Sequence, residues 1–574
     1  MSQFSNTDNR LRAVSAAFIL IAVVIVTRLF ILQIIQHDYY TAFAMGSHEI
    51  YKKLHPKRGL IFFRDSRSDI EYPAAVNRQY FNLYAVPQEI SKEDVQKITD
   101  RLTEILKYDE ERKTALLQKL SKTDDPYEPI DKKIPDDIVE KIKAENLKGI
   151  YFIGEEYRYY PENNLGAQVL GFYGMNKDGN PAGLYGLEGY LDKQLAGKSG
   201  FLQAEKGAQG GWISLAGRTT EDAENGADIV LTIDRAIEYK ACERLKAGWK
   251  EYGAKTASLV MLEAKTGAVL AMCNYPDFNP NEYSKAGDLR DYNNNTIFTP
   301  YEPGSVFKPI TMAAAVDLNL LGPNTTFTDP CERRIDDFTI HNALDKCYGV
   351  QTMTGVLENS INTGMIWVEE KMQGNQFVDY VKKFGFGEKT GISLETEEAG
   401  NISSLDKKGH IYKAVGSFGQ GLTATPLQLA TAFTALANEG QMMKPFVVGE
   451  TRYSDGRKEK TEPQVVGQVI SPRTAKLLTG MLVAVVEKSQ DRGAKIDEYY
   501  IAGKTGTAQI PGKGGYTEDT NHTFVGYAPA NNPKFVMVVK FEAPQRAWAE
   551  STAAQVYKDV AKFTLKYFGI KGER

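Results

Sequence analysis

Three short strings, Ser305-Val306-Phe307-Lys308, Ser360-Ile361-Asn362 and Lys504-Thr505-Gly506, follow one another in the C-terminal part of this 574-residue chain. Together they hold the side chains of a serine acyl-transfer site, so the long segments between them must fold back to bring all three to one pocket. Each string alone is weak. Ser-x-x-Lys recurs at Ser404…Lys407, and Lys-Thr-Gly recurs at Lys265-Thr266-Gly267 and Lys389-Thr390-Gly391, whereas Ser-x-Asn occurs once and sets the frame.

Local context ranks the copies. Ser305 follows Tyr301-Glu302-Pro303-Gly304 and precedes the apolar run Ile310 to Val316, which reads as the first turn of a buried helix with Lys308 one turn on, beside the serine. Ser404 lies among Asp406, Lys407, Lys408 and Gly409, the composition of a solvated loop. Lys265-Thr266-Gly267 sits between two apolar runs and predicts a hairpin turn at Gly267, and Lys389-Thr390-Gly391 predicts another turn. Lys504-Thr505-Gly506 continues from Tyr499 into Thr507-Ala508-Gln509, a strand whose small residues admit a ligand backbone.

A serine hydroxyl needs a neighbouring base to act as a nucleophile. Lys308 can serve when neutral, which calls for burial and a second cation, here Lys504, to lower its pKa. Ser360 is placed to relay a proton to an amine, and Asn362 to hold the lysine and a substrate amide. Thr505 and Thr507 offer hydroxyls to a substrate carboxylate, beside Gly506, and the backbone N–H groups of Ser305 and Thr507 suit an oxyanion hole. The bland alternatives are a helix cap at Ser305, a surface lysine at Lys308 and a turn at Ser360 to Asn362.

The three strings look like the signature of penicillin-binding proteins and serine β-lactamases. Gly226 to Asp234, Tyr301 to Pro309, Phe418 to Ala430 and Ala502 to Gln509 resemble class B penicillin-binding proteins. Arg158-Tyr159-Tyr160-Pro161, Val169 to Gly174 and Gly183 to Glu188 resemble the non-catalytic N-terminal module of that class. Tyr301-Glu302-Pro303-Gly304 and Ser417 to Gly421 look more like the cell-division members than the elongation ones. One departure stands out: the module's usual opening string carries an acid where Arg58-Gly59-Leu60-Ile61-Phe62-Phe63-Arg64 has Phe63.

The resemblance implies an α/β (α+β) fold: a penicillin-binding-protein/serine β-lactamase-like transpeptidase domain at 226–574, behind a mixed pedestal of dimerisation type at 37–225. It implies a peptidoglycan D,D-transpeptidase in septal wall synthesis that acts on stem peptides and binds β-lactams. A membrane-embedded glycan polymerase and division proteins are the implied partners, with no cofactor and no metal. The rival readings are a carboxypeptidase or β-lactamase, in which water resolves the acyl-enzyme, and a non-catalytic β-lactam-binding scaffold or sensor. A sensor calls for a cytoplasmic signalling domain, for which the expected tail at 1–12 is short.

From Ala13 to Ile35 the only charge is Arg28, and the stretch exceeds the roughly 20 residues needed to cross a bilayer. With Arg10 and Arg12 before it, the expectation is a transmembrane helix at 13–36, an N-terminus in the cytoplasm and everything after the helix outside the cytoplasmic membrane. The rival is a signal peptide cleaved near Ala42-Phe43-Ala44. A net charge of −4 gives no nucleic-acid footprint.

Between anchor and catalytic region, Asn82 to Pro87 predicts a strand, Ser91 to Gln118 a helical stretch, Asp124 to Lys143 a solvated face with a short helix, and Gly207 to Gly226 a linker. Further on, Ile229 to Ile233, Ser258 to Leu262, Val269 to Met272 and Lys534 to Phe541 predict strands, and Thr552 to Tyr567 a closing helix. Four cysteines argue against a disulfide-built scaffold. Cys242 and Cys273, with apolar neighbours, read as buried free thiols. Cys331 and Cys347 are open to pairing, or to a zinc site with His341, though the spacing fits no strong ligand pattern.

Overall fold

The computed structural model describes residues 5–31, 49–68, 70–205, 219–489 and 493–574. Met1–Lys57 and Gly197–Gly226 form one compact unit, and Arg58–Ala196 with Ala227–Arg574 a second. In the first, Ser5–Phe30 is helical, with Phe18 to Val26 largely exposed, and Glu49–Leu54, Gly200–Glu205 and Thr219–Glu221 form a three-stranded antiparallel sheet. Among the described residues no helix is long and apolar enough to cross a membrane. Residues 32–36 of the expected span and 207–218 of the expected linker lie outside the described residues.

The second unit is built on a five-stranded antiparallel sheet in the order Val269–Tyr275, Thr256–Glu263, Phe535–Glu542, Gly515–Ala528, Ala502–Gly512. Its inner strands are buried on both faces, so period-two alternation splits their apolar side chains between two cores. Leu259, Met261 and Val539 meet the helices Arg235–Glu251 and Ala553–Tyr567 through Leu245, Val556 and Val560. Val260, Leu262 and Val538 join the larger core, with the wholly buried helix Pro426–Ala437 and the helix Lys308–Asp317. The expected hairpin at Lys265-Thr266-Gly267 joins Thr256–Glu263 to Val269–Tyr275, and Gly267 takes the left-handed conformation the turn needs (φ 80°).

A seven-stranded sheet ties the earlier part of the chain to this core. Asp228–Asp234, just after the expected boundary at 225, pairs in parallel with Ile61–Arg64 on one side and antiparallel with Val448–Arg452 on the other. Three helices, Asp94–Leu106, Glu110–Leu120 and Asp136–Ala144, cover one part of the same sheet through Ile98, Leu102, Leu116, Val139 and Ile142. The helical stretch expected over Ser91 to Gln118 is thus two helices: Lys107 turns left-handed (φ 55°) and Asp109 caps a fresh start by accepting the Arg112 N–H. The run expected as a solvated face contains the strand Glu128–Ile134, which pairs with Glu71–Ala85.

The strings that resemble the N-terminal module meet at one buried carboxylate. Glu188 is fully buried between Arg58, whose Nε donates to Oε2 at 2.8 Å, and Arg158, whose Nε donates to Oε1 at 2.6 Å. Burial alone would raise the Glu188 pKa, but the two guanidiniums outweigh it and hold the carboxyl below its ordinary range. Phe63 is fully buried, its ring against Gly166, where a Cβ would come within 3.0 Å, so the position of the missing acid is a core position here.

All four cysteines are paired. The reading of Cys242 and Cys273 as free thiols is corrected: they form a disulfide between the helix Arg235–Glu251 and the strand Val269–Tyr275, elements that pack face to face and bring the Cα atoms to 5.4 Å. An apolar neighbourhood signals burial but not what lies across the interface. Cys331 and Cys347 form the second disulfide, which leaves neither sulfur as a thiolate for zinc.

Candidate active site

Ser305 sits in a tight helical turn, Gly304–Phe307, that runs directly into Lys308–Asp317. Gly304 takes φ 59°, its N–H donates to Gly419 O at 2.9 Å, and a Cβ there would lie 2.7 Å from the Ala508 Cβ. Glu302 accepts from the Gly421 N–H and the Tyr516 hydroxyl. The segment Phe418 to Gly421 therefore clamps the turn from one side. On the other, Gly506 lets the strand Ala502–Gly512 close in, since a Cβ there would be 3.0 Å from both Pro303 O and Val306 Cγ1.

Ser360 lies in the link between the helices Met353–Glu358 and Asn362–Glu369, in a left-handed conformation (φ 54°). That link aims three acceptors at Lys308, whose Nζ donates to Ser360 O at 2.5 Å, to Ser360 Oγ at 3.0 Å and to Asn362 Oδ1 at 2.9 Å. Asn362 is oriented by its own amide, which donates to His341 O. Ser360 Oγ in turn donates to Ser305 Oγ at 2.9 Å. The connection from Ser305 to Lys308 thus runs through Ser360.

Lys308 is fully buried, and burial holds its pKa well below the ordinary lysine value, with the charge of Lys504 adding to the effect. Burial also brings Lys504 down to about 8, against the opposing pull of Glu550. Lys504 Nζ donates to Thr505 O at 3.1 Å. The two threonines differ in hydrogen-bond state: the Thr505 hydroxyl donates to Glu550 Oε1 at 2.8 Å, while Thr507 Oγ1 accepts the Ala549 N–H at 3.2 Å.

Ser305, Ser360, Asn362, Lys504, Thr505 and Thr507 line one cleft of about 520 Å³, with Lys308 behind its wall and Gly506 packed on the serine turn. The other copies of the motifs have structural work. Ser404 donates to Gly421 O from a short helical turn, Thr390 and Gly391 bind the Glu397 carboxylate, and Thr266 bonds Glu263. Sequence reasoning missed Glu550 and Trp548, which line the cleft from a segment that carries no recognisable spacing, and Leu344 and Tyr348 from the stretch around the Cys331–Cys347 disulfide. Only the folded register of Thr505 against the turn Ala549–Ser551 reveals Glu550.

A serine joined by a hydroxyl relay to a buried lysine, at the edge of an antiparallel sheet with helices on both faces, defines a serine acyltransferase. Residues 257–562 match the penicillin binding protein transpeptidase domain, and residues 53–231 the penicillin-binding protein dimerisation domain. The chain belongs to the penicillin-binding protein family and carries its transpeptidase domain. It is 30% identical to stage V sporulation protein D of Bacillus subtilis, over 96% of this chain and 85% of that one. It is 34% identical to the penicillin-binding protein PbpB of Mycolicibacterium smegmatis, over 72% of this chain and 65% of the relative. Among solved structures, penicillin binding protein 2X of Streptococcus thermophilus shares the fold with a TM-score of 0.74 at 23% identity, over 90% of this chain and 80% of that one. Penicillin binding protein 3 of Mycobacterium tuberculosis, complexed with aztreonam, gives 0.69 at 26% identity, over 91% and 98%.

Proposed function

We propose that this chain is a membrane-anchored peptidoglycan D,D-transpeptidase that cross-links stem peptides in septal wall synthesis, with Ser305 as the nucleophile and the target of β-lactams. The observation that carries the reading is the continuous hydrogen-bond path from Ser305 Oγ through Ser360 Oγ to the buried Lys308. With Lys308 neutral, both hydroxyl hydrogens turn, so that Ser305 donates to Ser360 and Ser360 to the lysine lone pair. Ser305 Oγ then attacks the carbonyl carbon of the D-Ala-D-Ala amide as its proton passes along the path to Lys308. The carbon–nitrogen bond breaks, the departing D-alanine amine takes the proton, and an ester on Ser305 remains. An amine from a neighbouring stem attacks that ester, giving up a proton through the same path, and frees the serine as the cross-link forms.

Backbone N–H groups of Ser305 and Thr507 are assigned to the oxyanion, a role typically worth about 3 kcal/mol per donor. Asn362 steadies Lys308 and the donor amide, Lys504 sets the field, and Thr505 and Thr507 face the substrate while Gly506 between them lets their strand close on the serine turn. The apolar stretch from Ala13 to Ile35, with Arg10 and Arg12 before it, supports an N-terminal anchor that leaves the catalytic part outside the cytoplasmic membrane. A pedestal at 37–225 facing a glycan polymerase and division proteins completes the proposal. Names among the relatives, one a probable peptidoglycan D,D-transpeptidase of Pseudomonas aeruginosa, support the reaction. The test is labelling with a fluorescent penicillin: the wild type and Ser404→Ala take the label and Ser305→Ala does not, whereas loss confined to Ser404→Ala overturns the assignment.

A further inference from the structure

We infer that Glu550 is a specificity-determining residue: an internal carboxylate that competes with the substrate's own carboxylate for the Thr505 and Lys504 end of the cleft. The inference rests on the acyl-enzyme reading above and deepens it. A threonine hydroxyl has one hydrogen to give, and that of Thr505 is given to Glu550 Oε1 at 2.8 Å. What Thr505 presents to the cleft is therefore lone pairs, which repel an incoming carboxylate. Thr507 is the reverse case. Its oxygen accepts the Ala549 N–H, so its own hydrogen remains available to a ligand.

Glu550 lines the same cleft as Ser305, and its charge acts on Lys504, the cation a substrate carboxylate would seek. An anionic ligand entering here meets a like charge and must take both the Thr505 hydrogen and the Lys504 field away from Glu550. The position of Glu550 is held from its backbone: its carbonyl accepts from Gln555 Nε2, and the turn Ala549–Ser551 leads straight into the helix Ala553–Tyr567. The carboxylate is thus a fixed feature of the wall, and the site is tuned against anionic ligands relative to neutral ones of the same shape.

The experiment compares acylation rates of the full chain by benzylpenicillin, which carries a carboxylate, and by its methyl ester, which does not, in wild type, Glu550→Gln and Glu550→Ala. Loss of the Glu550 charge also lowers the Lys504 pKa, and a discharged Lys504 would weaken the carboxylate probe alone, so the ratio of the two rates is read across a pH series and taken below the Lys504 titration, where that cation stays charged. In both variants the ratio of benzylpenicillin to ester rises roughly tenfold, the order expected for removing one partly screened charge. A ratio unchanged or lowered in Glu550→Gln, or raised only in Glu550→Ala, overturns the inference while leaving the transpeptidase reading intact. Absence of Ser305 labelling in the wild type by either probe overturns both.

Discussion

Lys504 acts on Lys308 by charge: each is buried, and the ammonium of the first adds to the burial that holds the second far from its ordinary pKa. A lysine with a depressed pKa loses its proton at lower pH, and only the unprotonated amine can take the Ser305 proton. Acylation by penicillin therefore rises with pH through the Lys308 pKa, and falls again as Lys504 discharges near its value of about 8. In Lys504→Met the like charge is gone, the Lys308 pKa moves up, and the rising limb shifts to higher pH. A pH–rate profile whose rising limb does not move would contradict the coupling.

Ser360→Ala removes the middle of the hydrogen-bond path while leaving Lys308 two acceptors, Asn362 Oδ1 and the backbone carbonyl at 360. Acylation should drop by roughly two to four orders of magnitude, the span of general acid–base contributions, with unfolding midpoint little changed. Stopped-flow labelling with a fluorescent penicillin reads the rate directly. Near wild-type rates would mean that Lys308 reaches Ser305 without the relay.

Away from the cleft, Glu188→Ala leaves the buried Arg158 guanidinium without a counter-ion, facing an Arg58 that keeps only Asp192. Removing one partner of a buried ionic cluster costs about 3–5 kcal/mol, so urea denaturation should show a large loss in midpoint. The Glu188 pKa is lowered by folding, so its contribution is present above the unfolded value of 4.5 and is lost as pH falls through the folded one. The wild type should approach the variant in stability only at strongly acidic pH.

Much of the site could be read in advance because its side chains come in short strings whose spacing reflects one helical turn (Ser305 and Lys308) or one strand (Lys504 to Thr507). The strands Thr256–Glu263 and Phe535–Glu542 were equally plain, since both faces are buried and the runs Leu259 to Leu262 and Phe535 to Val539 are wholly apolar. Contacts between distant segments were not legible. Cys242 and Cys273 pair because a helix packs on a strand, Glu550 reaches Thr505 because a late turn lies over an edge strand, and Lys107 breaks a helix whose apolar spacing runs on past it. The strand Glu128–Ile134 was hidden because its sequence is lysine- and acid-rich and only pairing with Glu71–Ala85 makes it a strand.

The strand Asp228–Asp234 has a neighbour along each flank, one from before residue 65 and one from beyond residue 447. A truncated chain starting at residue 227 would lose the flank supplied by Ile61–Arg64 and bare an open row of amides beside Ile229, Leu231 and Ile233, which are now fully shielded from water. Such a fragment would invite aggregation, and anyone seeking a soluble enzyme for crystallisation or inhibitor screening would do better to keep everything from Arg58 onward.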